Sequence, residues 1–147
     1  EARLIVEARK AGVRTPIIRD ISHDTIIMEH ITGRKLRETL TPLLLEEAGR
    51  MVGKLHSAQI VHGDLTTCNF LVKDRKIWLI DFGLATTSAE LEHRGVDVHV
   101  LFQVLESTSP ESDVLKEAFI RGYREIMPQA NDILEREHEI ELRGRYL

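Results

Sequence analysis

The chain has 147 residues, 42% of them hydrophobic, and a formal charge of -4 scattered along its length. That suffices for one domain with an ordinary core, and the absence of a charged block excludes a polybasic nucleic-acid or membrane-surface module. A lone cysteine (Cys68), no apolar run of bilayer length and no leader-like start together predict a soluble, cytoplasmic protein, or a nuclear one in a eukaryote, with no membrane partner.

From Glu1 to Gly12, Leu4, Ile5, Ala8 and Ala11 recur at helical spacing, and Gly12 suits the left-handed residue that ends a helix. No cap opens this helix, so the natural chain is expected to continue upstream. After Pro16, the β-prone runs Ile17–Ile21 and Thr25–Glu29 flank Ser22-His23-Asp24 and predict a hairpin. Thr41-Pro42 supplies an N-cap and first-turn proline for a helix with Leu45, Ala48, Val52 and Leu55 on one face, ending near Gln59. His62 to Asn69 reads as a polar loop. A second hairpin follows, from Phe70-Leu71-Val72 through the turn Lys73–Arg75 to Ile77–Ile80, with Trp78 read as core. From Gly95 onward the pattern is helical, over Val96–Glu106, Glu111–Ile126 and Asp132–Leu142, with breaks at Ser109-Pro110 and Pro128. The fold class is α+β, mainly helical with short β-hairpins.

The chemistry concentrates in His62-Gly63-Asp64-Leu65-Thr66-Thr67-Cys68-Asn69 and, one hairpin later, Asp81-Phe82-Gly83. A loop puts Asp64 and Asn69 at its two ends, and the hairpin after Asn69 returns the chain so that Asp81 faces them across one cleft. Phosphoryl transfer asks a protein mainly to hold metal-bound phosphates and to orient the attacking oxygen. In that arrangement Asp64 orients the nucleophile and accepts its proton, while Asp81 and Asn69 offer the hard oxygen ligands that Mg2+ prefers. Phe82 would pack beneath and Gly83 would allow the sharp bend. Asp-Phe-Gly alone is a common turn, and His-Gly-Asp alone says no more. Their order and joint spacing carry the reading.

These residues resemble the protein-kinase superfamily, and within it the small atypical kinase of the KEOPS complex, which takes part in making threonylcarbamoyladenosine in tRNA. The likeness extends through Glu1-Ala2-Arg3-Leu4, Ala11-Gly12-Val13, Met28-Glu29-His30-Ile31-Thr32-Gly33, Arg94-Gly95-Val96-Asp97 and Leu142-Arg143-Gly144-Arg145, so it spans essentially the whole chain. It implies that residues 1–147 form a kinase-like catalytic domain, with the end of the N-lobe helix, the hinge and the C-lobe, most of the small N-terminal lobe being absent. It implies ATP and Mg2+ as cofactors. Glu1 would pair with a phosphate-binding lysine, Glu29 to Ile31 would bond adenine through their backbone, and Leu71 would floor the adenine pocket. Asp97 would brace the His62–Asp64 loop. Residues 142–147 would begin a basic tail whose Arg143 and Arg145 meet the threonylcarbamoyl transferase subunit or tRNA, alongside other KEOPS subunits. On the residues alone, Glu1 reads equally as an exposed helix carboxylate, and the two arginines as charges favouring a helix's carbonyl end.

Two departures from ordinary kinases shape the expected activity. Gly63 replaces the arginine that would pair with an activation-loop phosphate, and Thr66 replaces the lysine that serine/threonine kinases present to the transferred group. The stretch from Asp81 to Asp97 is short and lacks Ala-Pro-Glu, so peptide docking is expected to be poor and ATP hydrolysis to dominate. Neither a Gly-rich phosphate loop nor a Val-Ala-Ile-Lys strand is present, which predicts weak ATP binding and little activity for this stretch alone. Two rival readings stand: a small-molecule phosphotransferase of the aminoglycoside or choline type, and a noncatalytic scaffold for the transferase subunit. The seven histidines show no zinc-ligand spacing, His93 and His99 included, and Cys68 lacks the partners of a nucleophile.

Overall fold

The computed structural model describes residues 1–145. Helix α1 (Ala2–Lys10) buries Leu4, Ile5 and Ala8, and Gly12 follows at φ 94°, the left-handed stop its position predicts. Strands β1 (Ile18–Ile21) and β2 (Ile26–Met28) form the first antiparallel hairpin. Helix α2 (Pro42–Ser57) starts where Thr41 Oγ1 accepts the Leu44 N–H at 3.2 Å, a cap worth about 1 kcal/mol. Strands β5 (Phe70–Lys73) and β6 (Lys76–Leu79) make the second hairpin. Asp74 and Arg75 between them are both left-handed, at φ 53° and 63°, as a two-residue loop matching strand twist requires.

Three short strands have too few residues to leave a pattern in the sequence. Strand β3 (Arg34–Lys35) pairs antiparallel with β5, and β4 (Ile60–Val61) with β7 (Thr86–Thr87). Helices α3 (Leu91–Thr108), α4 (Ser112–Ile126) and α5 (Ala130–Arg145) complete the chain. Helix α3 begins five residues before its expected start at Val96, because it runs straight through Gly95. A Cβ there would lie 3.4 Å from Arg136 Cγ and the Glu137 nitrogen, at van der Waals reach, so α5 packs directly on the glycine and the helix continues through it. Helices α2 and α4 pack most closely, with Gly49 and Gly122 each facing main-chain atoms of the other helix.

One core joins Leu45, Val52 and Leu55 of α2 with Leu101 of α3, Phe119 of α4 and Phe70, Ile77 and Leu79 of the second hairpin. Trp78 is not part of it. The strand's alternation buries Ile77 and Leu79 and turns Trp78, half-buried, to the other face, where the Arg14 guanidinium lies 6.0 Å from its ring. No helix among the described residues is long and apolar enough to cross a membrane.

Candidate active site

The loop after β4 is held from behind by a buried carboxylate. Asp97 of α3, 2% exposed, accepts the His62 N–H with Oδ2 at 2.8 Å and the Gly63 N–H with Oδ1 at 2.9 Å. Two backbone donors that no strand or helix satisfies are thereby paired. His62 passes the order forward: its Nδ1 accepts the Asp64 N–H at 3.2 Å, so Nε2 carries the ring proton and donates to the Ile80 carbonyl at 2.9 Å. Phe82, 1% exposed, meets the His62 ring edge-on at 5.1 Å.

The far end of the loop closes on its beginning. Asn69 Nδ2 donates to the Asp64 carbonyl at 2.8 Å and to the Asp64 carboxylate Oδ2 at 3.1 Å. The Ile80 N–H donates to the Asn69 carbonyl at 2.9 Å, continuing the hairpin past the end of β6. Ile80, the residue before Asp81, is thus tied both to Asn69 and, through His62, to Asp64. Asp64, Asn69 and the residue before Asp81 are thus tied together although eleven residues of hairpin lie between Asn69 and Asp81.

The sharp bend falls two residues earlier than expected. Asp81 itself is left-handed at φ 59°, and its Oδ1 accepts the Gly83 N–H at 3.3 Å. A short carboxylate that bonds its own backbone tolerates this conformation, whereas Gly83 is not at positive φ. At Gly63 the requirement is stricter. Its φ is 88°, and a Cβ would run into the Leu84 carbonyl oxygen, so no arginine can replace it without moving the loop.

An open cleft of ≈ 520 Å³ reaches this site at Ile80 and Asp81, lined also by Met28, Glu29, Ile31 and Leu71 among others; Asp64 and Asn69 are not in its lining. Leu71 stands opposite Lys35 in the β3–β5 register. The Glu29 N–H is used by the Ile17 carbonyl at 2.7 Å and its Oε1 by the Ile17 N–H at 3.1 Å, which fixes the segment entering the cleft. Glu1 precedes α1, exposed, with no capping bond from its side chain, and does not line the cleft. Arg143 and Arg145 lie in the last turn of α5 and are engaged within the protein. Arg143 donates to Glu92 Oε1 at 2.5 Å and Arg145 to Glu141 Oε1 at 2.6 Å; the Arg143 hydrogen bond holds the Glu92 carboxyl below its ordinary value. Residues 146 and 147 of the expected tail lie outside the described residues.

The donor set suits Mg2+. With both amide protons of Asn69 directed at Asp64, its Oδ1 is left available to a cation, and Asp81 is exposed on the cleft. Among the described residues no cluster of three or more His, Cys, Asp or Glu side chains could hold a metal. Two protein oxygens completed by water and nucleotide phosphates is the mode Mg2+ favours. His93 instead bonds Ser88, and His99 pairs with Glu137.

Sequence reasoning missed two residues behind Asp97. His56 of α2 lies with Nε2 2.9 Å from Asp97 Oδ2, and its Nδ1 is 2.7 Å from the Tyr123 hydroxyl of α4. Both are fully buried, and a polar residue on the apolar face of α2 was the available signal.

The lipopolysaccharide kinase (Kdo/WaaP) family model matches residues 6–123. The chain belongs to this kinase family. Over all 147 residues it is 80% identical to a probable bifunctional tRNA threonylcarbamoyladenosine biosynthesis protein of Methanospirillum hungatei JF-1, of which it covers 28%. The chain thus spans little more than a quarter of these bifunctional relatives. It is 41% identical to the KEOPS complex subunit Bud32 of Pyrococcus abyssi, covering 99% of this chain and 72% of that one. The kinase is therefore of the atypical KEOPS type. The solved structure of WaaP in complex with acyl carrier protein superposes with a TM-score of 0.68 over 95% of this chain and 73% of its own, at 24% identity, a likeness of fold.

Proposed function

We propose that the chain is the catalytic lobe of an atypical Ser/Thr kinase and ATPase of the KEOPS type. In this reading residues 1–147 are the kinase-like domain, from the end of the N-lobe helix through the hinge and C-lobe. It transfers the terminal phosphate of ATP to water or a hydroxyl in support of tRNA threonylcarbamoyladenosine modification. The observation that carries the reading is the double hydrogen bond from Asn69 to Asp64, beside an Asp81 whose neighbour Ile80 is tied to both.

In this mechanism adenine lies between Leu71 and the Glu29–Ile31 segment, the phosphates reaching toward Asp81. The Asp64 carboxylate orients the attacking oxygen and takes its proton as the new phosphorus–oxygen bond forms and the bond to ADP breaks. Asn69 Oδ1 and the Asp81 carboxylate would hold Mg2+, which when bound neutralises the charge gathering on the phosphates. With Gly63 and Thr66 in place of a regulatory arginine and a transfer lysine, water is the favoured acceptor. Glu1 is proposed as the partner of a lysine outside these residues. Arg143 and Arg145 are proposed to meet the transferase subunit or tRNA by exchanging their present carboxylate partners. A cytoplasmic setting fits this role.

The test is phosphate release from ATP by the full-length protein containing this chain, with Mg2+ titrated. Asp81→Ala is expected to lower turnover about 100-fold or more. Unchanged turnover in that variant rejects the assignment.

A further inference from the structure

Behind the catalytic loop, Tyr123 of α4, His56 of α2 and Asp97 of α3 are 0%, 0% and 2% exposed. They are joined end to end, with the Tyr123 hydroxyl 2.7 Å from His56 Nδ1 and His56 Nε2 2.9 Å from Asp97 Oδ2. Asp97 in turn holds the main chain of His62 and Gly63, next to Asp64.

An imidazole trapped between two polar partners has to distribute its protons to suit both. A carboxylate only accepts, so Nε2 must carry hydrogen toward Asp97. In the neutral ring Nδ1 is then a buried lone pair in need of a donor, and the Tyr123 hydroxyl is the group in reach. Burial holds the Tyr123 phenol far above the ordinary tyrosine range, with nearby Arg94 opposing and Asp97 adding to the effect, so the hydroxyl proton is there to give. The ring carrying it is fixed: it stacks on Phe119 at 5.6 Å and 17° and meets the His56 ring edge-on at 88°.

We propose that Tyr123 is a positioning residue for phosphoryl transfer: by donating to His56 Nδ1 it fixes the orientation of the imidazole whose Nε2–H holds Asp97, and through it the Asp64 loop, in register. The role rests on the reading of Asp64 as the catalytic base. Tyr123 touches no substrate and acts through His56.

Tyr123→Phe removes one oxygen and keeps the stacked ring, which makes it the variant of choice in the full-length protein. It is expected to lower kcat for ATP hydrolysis about 5- to 20-fold with KM for ATP unchanged within about twofold. Hydrogen exchange at the His62 and Gly63 amides is expected to quicken about tenfold, and the His56 Nδ1 resonance in the ¹⁵N spectrum to shift as it loses its hydrogen bond. Because Tyr123 acts only through the imidazole, Tyr123→Phe added to His56→Leu is expected to slow turnover no further. Wild-type kcat together with unchanged amide exchange in Tyr123→Phe overturns the proposal, as does an unshifted His56 Nδ1 resonance. If His56→Leu does not fold, those readouts on Tyr123→Phe decide alone. Asp81→Ala in the same assay keeps the two ideas apart: turnover that survives it rejects the active-site reading, while the amide and imidazole signals still judge Tyr123.

Discussion

Asn69 spends both of its amide protons on Asp64, one on the carbonyl at 2.8 Å and one on the carboxylate at 3.1 Å. In the proposed mechanism the same side chain aims the base and offers its own oxygen to Mg2+. Asn69→Asp separates these duties. The substitution keeps an oxygen ligand but sets a second carboxylate against Asp64, replacing a donor with a repulsion. Turnover is expected to fall about 10- to 100-fold, and added Mg2+ is not expected to restore it. Full recovery at high Mg2+ would show that Asn69 serves the metal alone.

Gly63 sits at φ 88° with the Leu84 carbonyl where a side chain would begin. Gly63→Ala therefore combines left-handed strain with a backbone clash, and is expected to cost about 2–4 kcal/mol of stability. Denaturant unfolding measures this directly. A loss below about 0.5 kcal/mol would mean that the loop relaxes freely and that the Asp97 bonds do not define it.

Much of this site was legible because it is local. Asp64, Asn69 and Asp81 are read from spacing, since a tight loop and a two-residue hairpin leave the chain few ways to return. Asp97 depended on resemblance, and His56 and Tyr123 behind it stayed hidden because His56 lies 41 residues from Asp97 and 67 from Tyr123, on contacts made only when α2, α3 and α4 dock. Trp78 was misread for a different reason. Its strand shows core on one face only, and period-two alternation sets it opposite Ile77 and Leu79. Gly95 misled in the same way, since a glycine inside a helix can admit a neighbour as readily as end a turn.

Close approach of a second kind fixes α2 against α4. A Cβ on Gly122 would meet the Glu46 carbonyl oxygen and one on Gly49 the Phe119 carbonyl oxygen, both main-chain atoms that cannot swing aside. Gly122→Ala removes a helix-propensity penalty of about 1 kcal/mol, so a gain is the outcome if packing is loose. The geometry points the other way. A net loss of about 2–4 kcal/mol is expected, read as a lowered denaturant midpoint, with the helices forced apart. A more stable variant would refute the contact.

Glu137 of α5, 7% exposed, faces His99 of α3 with Oε1 3.1 Å from Nδ1. Burial raises its carboxyl above the ordinary value of 4.5; the His99 hydrogen bond and charge oppose this, Glu141 adds to it and Lys116 subtracts. The folded state thus holds this proton more tightly than the unfolded chain does. Stability from the protonated form is fully present below the unfolded value near 4.5 and is lost as pH rises through the raised folded value. Glu137→Gln keeps the shape and an acceptor for His99 but cannot ionise. Its urea midpoint is expected to match the natural protein's at acid pH and to exceed it once pH rises past the raised folded value. A variant less stable than the natural protein at neutral pH would mean that the charged pair with His99 outweighs burial, reversing the sign argued here.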